Sequence, residues 1–128
     1  MKKQHVLIVD DDHIARTAIA HMLEKSGYET SEAFNGIQAL KMLKKNPGKT
    51  DAIILDRMMP EMSGIEFLYK ITSLPSFQHI PIIMLTVHAE RSDVKAATIL
   101  RVFDFIYKPV DEVILCKALE RALRKEKV

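Results

Sequence analysis

Short apolar runs alternate five times with stretches whose apolar residues recur at helical spacing, and this alternation limits the fold more than any other feature. The runs are His5–Val9, Tyr28–Ala33, Ala52–Leu55, Ile80–Leu85 and Val102–Ile106. Pro81 is tolerable near the start of the fourth run. Between them, Ile14, Ala18, Met22 and Leu23 predict a first helix that closes at Gly27. Asn35 can cap a second, with Ile37, Leu40, Met42 and Leu43 inside, ended by Asn46, Pro47 and Gly48. Ser63 or Gly64 opens a third carrying Ile65, Phe67, Leu68 and Ile71. A loop over Leu74–His79 follows, then a fourth helix over Glu90–Leu100. A fifth covers Asp111–Lys125, striped by Leu115, Leu119, Ala122 and Leu123. Repeated β–α pairs predict an α/β fold, a doubly wound five-stranded parallel sheet with five helices on its two faces. Crossovers should be right-handed. The polar alternation of Tyr28–Ala33 suits an edge strand.

The length of 128 residues fits a single domain spanning 1–128. Cys116 is the single cysteine, so an internal disulfide and multi-cysteine metal sites are excluded, and a reducing cytoplasm fits. No run approaches the ~20 apolar residues of a membrane span. Net charge is only +2, which calls for no polyanionic partner such as nucleic acid. The acidic triplet Asp10–Asp12 interrupts the only candidate signal-peptide core.

In open parallel sheets, sites form beyond the carboxyl ends of the strands, where strand order reverses. Asp10 and Asp11 follow the first run, Asp56 the third, Thr86 the fourth and Lys108 the fifth. A flavodoxin-like order 2-1-3-4-5 makes those four strands neighbours. Two carboxylates ~5 Å apart repel by roughly 3 kcal/mol at an effective dielectric of ~20. Asp10, Asp11 and Asp56 therefore suit a hard divalent cation, Mg²⁺ first and Mn²⁺ as the alternative. An Asp carboxylate can attack phosphorus and form an acyl phosphate. Lys108 as a point charge and Thr86 as a hydroxyl donor can hold phosphoryl oxygens. Asp12 is assigned the ordinary role of helix cap.

This constellation resembles the receiver domain of bacterial two-component response regulators, chemotaxis regulators in particular. The matching strings are Val6–Val9 with Asp10, Asp11 and Asp12; Ile53–Asp56 with Pro60 and Gly64; Ile82–Thr86; and Phe105–Pro109. The match runs from Gln4 to Lys125. The resemblance implies that Asp56 is the phosphoacceptor and that Asp11 and Asp56 ligate Mg²⁺ directly, with Asp10 orienting it. It implies that Met58 offers its backbone carbonyl, that Thr86 and Lys108 contact the phosphoryl group, and that the Lys108–Pro109 bond is cis. It makes Thr86 and Phe105 a coupled switch that reshapes the face of the Glu90–Leu100 helix, the fifth strand and the last helix. Expected partners are a histidine kinase or histidine phosphotransfer protein and a downstream protein target or fused output domain. Direct nucleic-acid and membrane contacts are not expected, and dimerisation through the last two helices is an option.

Two positions depart from the family pattern. Val87 follows Thr86 where a small residue is usual, and Arg101-Val102 stands where Gly-Ala is common. The resemblance implies that His88 and Met58 flank the phosphoryl group and tune the dephosphorylation rate. Two competing readings frame the assignment. A phosphatase using Asp56 needs a second Asp two residues later, and Met58 cannot move a proton. A phosphorylation-independent interaction module has only Val87 and Arg101-Val102 in its favour. The expected protein is therefore a switch, not an enzyme beyond its own phosphorylation and slow dephosphorylation.

Overall fold

A computed structural model describes residues 3–57, 59, 62–87 and 102–124. Met58, His88, Arg101 and the expected helix over 90–100 lie outside these described residues. In chain order the elements are β1 (His5–Val9), α1 (His13–Lys25), β2 (Glu29–Ala33), α2 (Gly36–Lys45) and β3 (Ala52–Asp56). They continue with α3 (Gly64–Thr72), β4 (Ile82–Thr86), β5 (Asp104–Tyr107) and α4 (Glu112–Arg124). The strands form one sheet in the order β2-β1-β3-β4-β5, as expected. All four pairings are parallel.

Strand alternation splits the core in two. Val6, Ile8, Ala52, Ile54, Ile83, Leu85 and Ile106 face α1 and α4, meeting Ile19, Leu23, Leu115 and Leu119. Leu7, Val9, Ile53, Leu55, Ile82 and Met84 face α2 and α3, meeting Leu43, Phe67, Leu68 and Ile71. β1, β3 and β4 are buried along their whole length, which is why they read as unbroken apolar runs. β2 is at the edge, with Glu29 and Glu32 exposed.

Local chemistry sets the helix ends. The Asp12 carboxylate accepts from the Ile14 and Ala15 amides, Asn35 accepts from Gln38, and Ser63 and Glu66 form a reciprocal capping box. Gly27 follows α1 with φ +95°, the left-handed conformation that glycine adopts without steric cost.

Several boundaries and faces differ from expectation. Ile80 is not in β4, because its amide closes a turn onto the Phe77 carbonyl at 3.2 Å. Pro81 has no N–H, but its carbonyl accepts from Ile53, so the strand proper begins at Ile82. β5 begins two residues later than Val102 and runs on to Tyr107, paired with Thr86. Ile14 and Ala18 face solvent, and α1 is seated through Ile19, Ala20 and Leu23 instead. Ile37 is likewise exposed, leaving Ala39 and Leu43 to anchor α2. Among the described residues, no helix is long and apolar enough to cross a membrane.

Candidate functional site

The carboxyl ends of β1, β3, β4 and β5 lie side by side, and the polar residues ending them converge. Asp10 follows β1 and is fully buried. Its amide donates to Ala33 O at 3.1 Å, and its Oδ1 accepts from the Asp12 amide at 3.0 Å. Asp56 is the last residue of β3, paired with Leu85, and is also buried. Thr86 ends β4, buried, and its carbonyl accepts from the Lys108 amide at 2.8 Å. That bond brings the residue after β5 to the same edge. The Lys108–Pro109 peptide is cis, as the resemblance implies.

Carboxylate oxygens of Asp10, Asp11 and Asp56 all lie within 4.8 Å of one another, with Asp11 the exposed member. Lys108 Nζ sits 3.0 Å from Asp56 Oδ1 and 3.4 Å from Asp10 Oδ2. Burial, followed by repulsion from Asp10, pushes the Asp56 carboxyl up to about 6, although Lys108 pulls it back. Burial pulls the Lys108 ammonium down, but its contacts with Asp56 and Asp10 outweigh this and leave it raised. Lys108 by itself falls short of neutralising three carboxylates. Three oxygen donors with surplus negative charge fit a hard divalent cation, and the exposed Asp11 leaves that position open to solvent.

Gly64 packs closely against the backbone of Asp56 and Arg57. Gly64 N donates to Arg57 O at 2.9 Å. A Cβ on Gly64 would lie 2.6 Å from the Asp56 carbonyl oxygen. Any side chain there would press on the backbone that carries Asp56. Met62 is buried over Gly36, where an added Cβ would come 2.7 Å from Met62 Sδ.

The sequence-predicted residues Asp10, Asp11, Asp56, Thr86 and Lys108 are therefore brought to one sheet edge. Phe105 stands apart from them, half-buried in the cluster on the α2–α3 face and paired in register with Met84. Val87, beside Thr86, is 71% exposed. Sequence reasoning missed Arg16, whose guanidinium reaches the Asp10 carbonyl at 2.8 Å. Lys108, the residue expected to meet a phosphoryl oxygen, bridges the carboxylates of Asp10 and Asp56.

Comparison with known proteins gives this arrangement a family. The response regulator receiver domain model matches residues 6–120. The chain belongs to the response regulator receiver family. Chemotaxis protein CheY-3 of Vibrio cholerae serotype O1 is 34% identical over 125 residues, 97% of this chain and 95% of that protein. Transcriptional regulatory protein GlrR of Escherichia coli K12 is 35% identical over 124 residues, 97% of this chain but only 27% of GlrR. The crystal structure of V. cholerae chemotaxis protein CheY4 superposes with a TM-score of 0.89 at 31% identity, covering 95% of this chain and all of that one. This receiver is thus a signalling module with a chemotaxis-regulator-like fold. Phosphorylation-based two-component signalling is the standard role of its family.

Proposed function

We propose that this receiver is switched by Mg²⁺-dependent phosphorylation of Asp56. The observation that carries the reading is the grouping of Asp10, Asp11 and Asp56 within 4.8 Å, with Lys108 against two of them. Asp11 and Asp56 would hold the ion, with Asp10 behind them. The Met58 carbonyl completes the set that the family pattern suggests. Bound there, Mg²⁺ supplies charge neutralisation for the attacking carboxylate and the incoming phosphoryl oxygens alike.

At neutral pH a carboxyl titrating near 6 is mostly ionised and nucleophilic. An Asp56 oxygen attacks phosphorus, the P–N bond of a donor phosphohistidine breaks, and the leaving imidazole takes up a proton. Lys108, already 3.0 Å from Asp56, is within reach to follow the new phosphoryl oxygens. Thr86 offers its hydroxyl to another. The donor is a histidine kinase or histidine phosphotransfer protein, and small acyl phosphates serve the same chemistry.

The added charge draws Thr86 toward the phosphoryl group. Phe105, on the neighbouring strand, then turns into the space released. The readout is a population shift between two packings of the β4–β5 edge. A downstream protein, or an output domain of the kind implied by GlrR's greater length, reads that face.

The test is the chemistry of the modification. Radiolabel taken from acetyl phosphate should be released by neutral hydroxylamine, as an acyl phosphate is. It should be absent from Asp56→Asn. Label that resists hydroxylamine, or that persists in Asp56→Asn, would contradict the assignment.

A further inference from the structure

Arg16 lies close to the N-terminal end of α1, where the helix dipole disfavours a cation. Its side chain is nevertheless only 13% exposed, and all three guanidinium nitrogens are engaged. Nε donates to Glu32 Oε1 at 2.9 Å, Nη1 to the Asp10 carbonyl at 2.8 Å, and Nη2 to His13 Nδ1 at 3.1 Å. Glu32 belongs to edge strand β2, one residue before Ala33, whose carbonyl accepts from the Asp10 amide. Both backbone polar groups of Asp10 are therefore fixed, one by β2 directly and the other by an arginine that β2 holds.

We propose that Arg16, braced by Glu32, is a positioning residue for the cation site: it sets where the Asp10–Asp11 backbone presents its carboxylates. The inference rests on the Mg²⁺ reading above. A planar fork is needed because one group must meet three acceptors in fixed directions, which a lysine ammonium on a flexible stem cannot reproduce. Electrostatics alone predicts the opposite sign. A bare cation beside the cluster would repel Mg²⁺, so removing it would tighten binding. The Glu32 carboxylate at 2.9 Å cancels most of that field, leaving geometry as the main contribution.

The test is isothermal titration of the full chain with MgCl₂ at a temperature where circular dichroism shows each variant folded. Arg16→Ala should weaken Mg²⁺ binding about tenfold, equivalent to ~1.4 kcal/mol. Arg16→Lys should recover little of it. Arg16→Gln, which removes the cation and the three-way fork but keeps a polar side chain, should also weaken binding, and it serves alone if Arg16→Ala does not fold. Arg121→Ala breaks the 3.1 Å pair with Asp104, remote from the cluster, and should leave Mg²⁺ affinity unchanged. Arg16→Ala binding Mg²⁺ within twofold of the parent, or more tightly, would overturn the proposal even if its melting temperature fell. So would full recovery in Arg16→Lys. A parent chain that does not bind Mg²⁺ at all would overturn the underlying reading, and the positioning role with it.

Discussion

Asp56 is ionised at neutral pH against the preference of its surroundings. Its carboxyl is raised from 3.8 to about 6, so the folded chain holds that proton more tightly than the unfolded chain. The sign follows from linkage. This group's contribution to stability is fully present below 3.8 and is lost as pH rises through about 6. Without Mg²⁺, Asp56→Asn should therefore melt higher than the parent at pH 7.5, and the difference should shrink toward pH 4. Equal melting temperatures at pH 7.5 would contradict the raised carboxyl. A carbon-detected NMR titration reads it directly, with a midpoint near 6 in the metal-free chain and a lower one with Mg²⁺. Lys108→Ala removes the cation 3.0 Å from Asp56 and should move the metal-free midpoint upward. Gly64 is the other residue on which the site depends. Gly64→Ala places a methyl 2.6 Å from a backbone oxygen that is not free to yield. Urea unfolding should show a loss of about 1–3 kcal/mol. Phosphorylation should slow as the Asp56 segment shifts. Unchanged stability would show that the close approach can relax.

Elements whose ends depend on neighbouring residues were readable in the sequence. Asp12, Asn35 and Ser63 cap helices because their side chains reach amides two or three residues on, a purely local matter. Ser63→Ala should cost about 1 kcal/mol in urea unfolding and leave the sheet intact. A loss below the error of the measurement would remove the capping box as a determinant of α3. Strand limits were less legible because they depend on the partner strand. Ile80 is as apolar as Ile82, yet its amide turns back to Phe77, while Tyr107 joins β5 because Thr86 lies opposite. Helix faces failed for a related reason. Ile14 and Ile37 fit helical spacing, but Ile14 lies before the part of α1 that is buried, and Ile37, between buried Gly36 and Ala39, points off the buried face of α2.

Across the whole molecule, the sheet order gathers five residues from four separate strand ends into one site. Each of Asp10, Asp11, Asp56, Thr86 and Lys108 stands at or just after a strand's end, so the order 2-1-3-4-5 was enough to gather them. The residues that steady the site were not visible that way. Arg16 reaches it across a helix turn, and Glu32 supports Arg16 from the edge strand, a contact set by the packing of α1 against β2. Nothing in the spacing of the chain announces either. The central claim is that this edge takes a phosphoryl group on Asp56 with the help of a divalent ion. Intact mass after incubation with acetyl phosphate tests it most directly, run with and without Mg²⁺ and beside Asp56→Asn. The account predicts the gain of one phosphoryl group by the parent chain with Mg²⁺, and none in the other samples. A gain that is independent of Mg²⁺ or of Asp56, or no gain from acetyl phosphate or any of a panel of histidine kinases, would contradict it.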